Sequence, residues 1–154
     1  MEERGQLFLE QYINSLPPAQ SKKYTSFSAG YFCADEYNAN LCASLILRGE
    51  KRASCSMEYW YTHKDELIPQ VGHLQVVTTW DGTPVCIIET TLVTRCQYNQ
   101  VTEEFAALEG EGDGTLTWWK KAHQQFFSDE CDQLGIEFKD DIFLVLEYFV
   151  LVYY

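Results

Sequence analysis

The sequence predicts one α+β domain whose sheet curls into a partial β-barrel flanked by helices. Three observations carry this reading. Apolar residues repeat near 3.6 in the first fifty residues and again after residue 114, β-branched runs fill the middle and the end, and the boundaries fall at Gly, Pro and Asp-Gly. A chain of 154 residues is long enough for one well-filled core and short for two.

Each element follows from its local pattern. Residues 2–15 form an amphipathic helix through Phe8, Leu9, Tyr12, Ile13 and Leu16, and Pro17-Pro18 ends it. We read 1–18 as a helix packing on the domain proper, 19–154. The polar stretch 19–28 reads as irregular. A second helix runs from about Ala34 to Arg48, with Leu41, Cys42, Leu45 and Ile46 on one side and Gly49 placed as its C-terminal cap. Beyond Gly49 the period shortens. Leu74–Trp80 is a strand, Asp81-Gly82 a hairpin signal, and Val85–Cys96 a long β-branched strand. Thr102 caps a short helix over Glu103–Leu108. Three glycines in Glu109–Gly114 make a loop, and a helix resumes from Thr115 to about Cys131. Ile142–Tyr153 closes the chain as a buried strand.

Charge narrows the function. There are 11 Lys and Arg against 23 Asp and Glu, a net charge of −12. Residues 1–100 carry −3 and residues 101–154 carry −9. Duplex DNA needs a broad basic surface, which is excluded here. The one basic stretch is Arg48–Arg52, so any anion site is expected there. No apolar run reaches the ~20 residues of a membrane span, and no apolar h-region follows the acidic start of the chain. The six cysteines form no C-x-x-C pair. These features together predict a cytoplasmic protein with reduced thiols, no metal and no cofactor.

Four groups of residues attract chemical attention. Lys51 and Ser54 stand where the second helix hands over to a strand, so an ammonium and a hydroxyl can meet in one cleft. A desolvated lysine assists a hydroxyl nucleophile, while the plainer reading is a solvated lysine at a helix end. Glu89 is a carboxylate within the central strand, where burial would tune it for proton transfer, unless it serves a salt bridge. Glu109, Glu111 and Asp113 place three carboxylates in a glycine-rich loop suited to a hard cation or to capping the next helix. Trp118, Trp119, His123, Phe126 and Phe127 form a helix face for packing, one of whose rings can line a pocket for a nucleobase.

Taken in order, these segments resemble the ASCH domains, a branch of the PUA-like superfamily, and in particular the longer bacterial type. The resemblance rests on Gly49-x-Lys51-x-x-Ser54, on Val71-Gly72-His73 where the family turn usually carries Asp, on Gly82–Thr91, on Phe105-Ala106 with Glu109–Asp113, on the helix with Trp118 or Trp119 and His123, and on Leu144–Tyr153. It implies about six strands and a cleft lined by the signature. Small bacterial relatives are similar to amidohydrolases that remove the acyl group from N4-acetylcytidine with Thr, Lys and Glu. Carried over, these become Ser54, Lys51 and Glu89 as catalytic residues. Arg48, Arg52, Glu109, Glu111, Asp113, Trp118 and His123 are then expected around the nucleoside. Other relatives imply two alternatives. One is a ribonuclease on single-stranded RNA that holds a divalent cation through the 109–113 carboxylates. The other is a non-catalytic module binding RNA or a modified nucleotide. A monomer or homodimer is expected.

Overall fold

The computed structural model describes residues 1–154. Helix α1 (Glu3–Ser15) ends at the expected prolines, and a single helical turn, α2 (Pro18–Ser21), follows. The stretch read as irregular contains that turn and the start of a short edge strand, β1 (Phe27–Gly30). Four residues are too few to show a period of two, so sequence pattern could not reveal β1. Helix α3 (Glu36–Leu47) starts at Asp35, whose carboxylate accepts from the Asn38 N–H. It stops at Gly49, which takes φ +74°, while the Glu50 N–H returns to the Leu45 carbonyl.

Strand β2 (Ala53–Met57), the turn α4 (Tyr59–His63), strand β3 (Leu74–Thr78) and the 14-residue β4 (Pro84–Gln97) come next. Helix α5 (Glu103–Glu109) is capped by Thr102 and ends at Gly110. Helix α6 (Leu116–Leu134) is capped by Thr115 and ends at Gly135, and β5 (Phe143–Tyr153) closes the chain.

The sheet has five strands in the order β1-β3-β4-β5-β2, one fewer than the resemblance implied. The pair β1–β3 is parallel and the others are antiparallel. Register shifts at Ile87/Ile88 and Thr90/Leu92 bend the long β4–β5 ribbon. The bend lets one ribbon serve three apolar clusters. Leu144 and Leu146 pack with Ala53, Phe105, Trp119 and Phe127 beneath α5 and α6. Ile88 and Phe149 pack under Ala43 and Ile46 of α3, and Leu74, Val76 and Ile87 pack against Leu9 and Tyr12 of α1. Burying a side chain such as Phe127 stabilises the fold by about 2–3 kcal/mol before ordering costs. Helices α3 and α1 therefore cover opposite faces of the β3–β4 region, and this decides which polar residues can meet.

Candidate active site

A cavity of about 450 Å³ opens between the β1–α3 segment, β2, the α5–α6 loop and α6. At its base lies Lys51, 2% exposed. Its ammonium donates to Glu109 Oε2 at 3.2 Å, to the Glu109 carbonyl at 3.4 Å and to Glu111 Oε2 at 3.4 Å. Three donors thus meet three acceptors, which a buried ammonium requires. Local sequence explains the convergence. Gly49 turns the chain out of α3, and Gly110 (φ +67°) turns it out of α5 so closely that a Cβ there would overlap the Glu50 carbonyl. Gly112 (φ +60°) lies flat beneath the Trp118 indole, leaving no room for a side chain. The alternating glycines fold the loop back over Lys51 and aim two carboxylates at it.

The two carboxylates are driven apart in acidity. Burial pulls Glu109 upward, but Lys51 and then His123 outweigh it and hold the carboxyl well below the usual range. Burial raises Glu111, with Glu109 adding to the rise against the pull of Lys51. Burial by itself lowers Lys51, yet the attraction of Glu109 and Glu111 prevails and holds the ammonium above the ordinary lysine value. Lys51 is therefore a buried, fully paired positive charge, and the plainer expectation of a solvated lysine at a helix end does not hold. His123 places Nε2 at 3.5 Å from Glu109 Oε2 and turns Nδ1 to the Trp119 carbonyl at 2.9 Å. Glu109 Oε1 is buried without a hydrogen-bond partner.

Of the expected residues, Lys51, Ser54, Glu109, Glu111, Trp118 and His123 line this cavity, together with Phe32 and Phe126. The remaining ones do not. Glu89 fails to join Lys51 and Ser54, because it sits on the sheet face covered by α1, where its carboxylate accepts from the Tyr24 hydroxyl at 2.9 Å. Arg48 pairs with Glu50 at the surface, and Arg52 donates to the Gly49 carbonyl. Asp113 accepts from the Thr115 hydroxyl at 2.6 Å and from its N–H at 2.9 Å, which orders the start of α6. The basic cleft expected at Arg48–Arg52 is therefore absent. Lys51 is the sole lysine or arginine in a lining that also holds Asp35, Glu109, Glu111 and Asp129. Two residues that the sequence reading passed over for function, Cys33 and Cys42, approach Glu111 Oε1. Two donor groups are compact enough to share an ion: Cys33, Cys42 and Glu111, and Cys55, Glu109 and His123, with ligand atoms within 4.8 Å in each.

A bent α+β sheet with a cavity built on a Gly-x-Lys-x-x-Ser turn and a facing acidic loop defines a PUA-like domain of the ASCH type. The chain belongs to the ASCH domain family, whose model matches residues 28–153. It is similar to a crystal structure of an ASCH domain from Lactobacillus crispatus JV V101, with 71% identity and a TM-score of 0.98 over 100% of this chain and 97% of that one. A protein of Enterococcus faecalis V583 is 26% identical with a TM-score of 0.85, covering 99% of this chain and 90% of that one. A hypothetical protein at 15% identity and a TM-score of 0.51, covering 83% of this chain and 100% of that one, shares the fold alone. No curated protein sequence matches the chain.

Proposed function

We propose that this protein is an amidohydrolase that removes the acyl group from an N4-acylated cytidine, with Ser54 as nucleophile, Lys51 as electrostatic stabiliser and Glu111 as proton carrier. The observation that carries the reading is the buried Lys51 ammonium held between Glu109 and Glu111 in the cavity that Ser54 lines. Two carboxylates pushed apart in acidity divide the work. Glu109 stays ionised and anchors the lysine. Glu111, raised by burial and placed at the cavity wall, accepts and returns the proton.

The chemistry then runs as follows. The Ser54 hydroxyl attacks the N4-acyl carbonyl and passes its proton to Glu111, while Lys51 stabilises the negative charge that develops. Glu111 returns the proton to the departing cytosine amine, leaving an ester on Ser54. Water, deprotonated by Glu111, attacks that ester, the acyl–Oγ bond breaks, and Glu111 returns the proton to Ser54 Oγ as the carboxylic acid leaves. Phe32, Trp118 and Phe126 give the flat base apolar walls, and about 450 Å³ fits one nucleoside. Four carboxylates against one lysine favour an uncharged nucleoside over an RNA strand, whose phosphates they would repel.

The test is incubation with N4-acetylcytidine, following cytidine and acetate together, with EDTA and a single-stranded RNA in parallel. Equal release of both products, insensitive to EDTA, supports the proposal. RNA cleavage that EDTA abolishes supports the ribonuclease alternative, and nucleoside binding without product supports the non-catalytic one.

A further inference from the structure

The β1–α3 segment brings Cys33 Sγ to 3.1 Å from Cys42 Sγ, and Cys42 Sγ in turn lies 3.3 Å from Glu111 Oε1. Cys33 is exposed at the cavity wall and Cys42 is buried. Cys33 also adopts φ +73°, a left-handed conformation that costs a side-chain-bearing residue energy. We propose that Cys33 and Cys42 form an oxidisable dithiol, a modification site at which a peroxide closes a disulfide beside Glu111. The consequence for turnover rests on the amidohydrolase reading. The disulfide itself does not.

Position explains the order of events. Cys33 is the thiol that ionises first, since hydrogen bonding to Cys42 lowers it while the same contact and burial raise Cys42. The Cys33 thiolate attacks one peroxide oxygen, forming the sulfenic acid and releasing hydroxide, which takes up the proton Cys33 gave. Cys42 then attacks that sulfur, its proton passing through Glu111 to the departing hydroxyl, which leaves as water. Two thiols and one peroxide become one disulfide and two waters. Zinc fits these sulfurs less well. Two thiolates on a tetrahedral zinc stand ~3.8 Å apart, and the second oxygen of Glu111 is already held by the Lys51 cation. Closing the disulfide removes the Cys42 thiol as donor to Glu111 Oε1. The carboxyl then holds its proton more tightly and accepts the Ser54 proton less readily at neutral pH.

Intact mass of the reduced protein after hydrogen peroxide treatment tests the site without reference to activity. The expected result is loss of two hydrogens, a peptide joining Cys33 to Cys42, and reversal by dithiothreitol. Cys42→Ser should instead stop at a Cys33 sulfenic acid that dimedone captures. Two free thiols after peroxide treatment, Cys33 driven to sulfinic acid without a cross-link, or a one-to-one zinc complex that blocks the cross-link would each overturn it. On N4-acetylcytidine the oxidised form should turn over at least about threefold more slowly at neutral pH and recover on reduction. Unchanged turnover on oxidation overturns the link to Glu111. Absence of turnover in both forms defeats the amidohydrolase reading and leaves the mass result to decide the disulfide.

Discussion

Replacing Lys51 by Met keeps most of the side-chain volume and removes the charge that the acidic loop is folded around. At an effective dielectric of about 20, a charge pair 3.2–3.4 Å apart interacts by about 5 kcal/mol. Desolvation offsets much of that in the intact protein. In the variant two buried carboxylates are left facing each other, and breaking a buried pair costs about 3–5 kcal/mol. At about 2–4 °C per kcal/mol for a chain of this size, Tm should fall by roughly 6–20 °C at pH 7. The pH dependence identifies the cause. In the wild type Glu109 is held below its ordinary value of 4.5, so its contribution is present above about pH 4.5 and is lost as pH falls through the folded value. In Lys51→Met both carboxyls are raised, so the variant is weakest at neutral pH and recovers as acid protonates them. Urea unfolding of both proteins from pH 4 to pH 8 should show the gap closing toward low pH. A gap under about 1 kcal/mol at pH 7, or one that stays constant with pH, would refute the claim that Lys51 organises the loop.

Other outcomes follow from the same geometry. Glu111→Gln should lower kcat/KM for N4-acetylcytidine by at least about a hundredfold, the usual worth of a general acid–base. It should leave Tm unchanged or higher, because a carboxyl raised by burial destabilises the fold at neutral pH and the amide removes that cost. Gly112→Ala should cost about 1–2 kcal/mol in urea unfolding for the left-handed backbone, and it should raise KM by displacing Trp118. His73, held between Ser26 and Ser28, has its imidazole lowered from 6.5 by burial. The unfolded chain therefore takes up that proton first, and stability should fall as pH drops below about 6.5. In His73→Gln that part of the slope should vanish, as paired urea titrations would show.

What the sequence made legible tracks how local each cause is. Helix ends were readable at Pro17, Gly49, Thr102 and Thr115, which act on neighbouring backbone, whereas the caps at Asp35 and Gly135 went unread, so the second helix was started early and the long one stopped three residues short. The Lys51–Ser54 turn was readable for the same reason. The choice of carboxylate was not. Glu89 and the 109–111 loop are both acidic, and only the packing of α1 and α3 on opposite sheet faces decides which one reaches Lys51. The basic cleft was misjudged because Arg48 and Arg52 lie next to Lys51 in sequence, yet their side chains find partners at Glu50 and Gly49 outside the cavity. The contact between Cys33 and Cys42 joins a residue of an irregular segment to one in α3, which no periodicity announces.

In the proposed reaction Lys51, Ser54 and Glu111 form one hydrolytic site while Glu89 stands apart. Cytidine release from N4-acetylcytidine by the wild type, Ser54→Ala, Glu111→Gln and Glu89→Gln measures this directly. Turnover is expected from the wild type and Glu89→Gln, and its loss from Ser54→Ala and Glu111→Gln. An inert wild type, or turnover that survives in Glu111→Gln and disappears in Glu89→Gln, would contradict it.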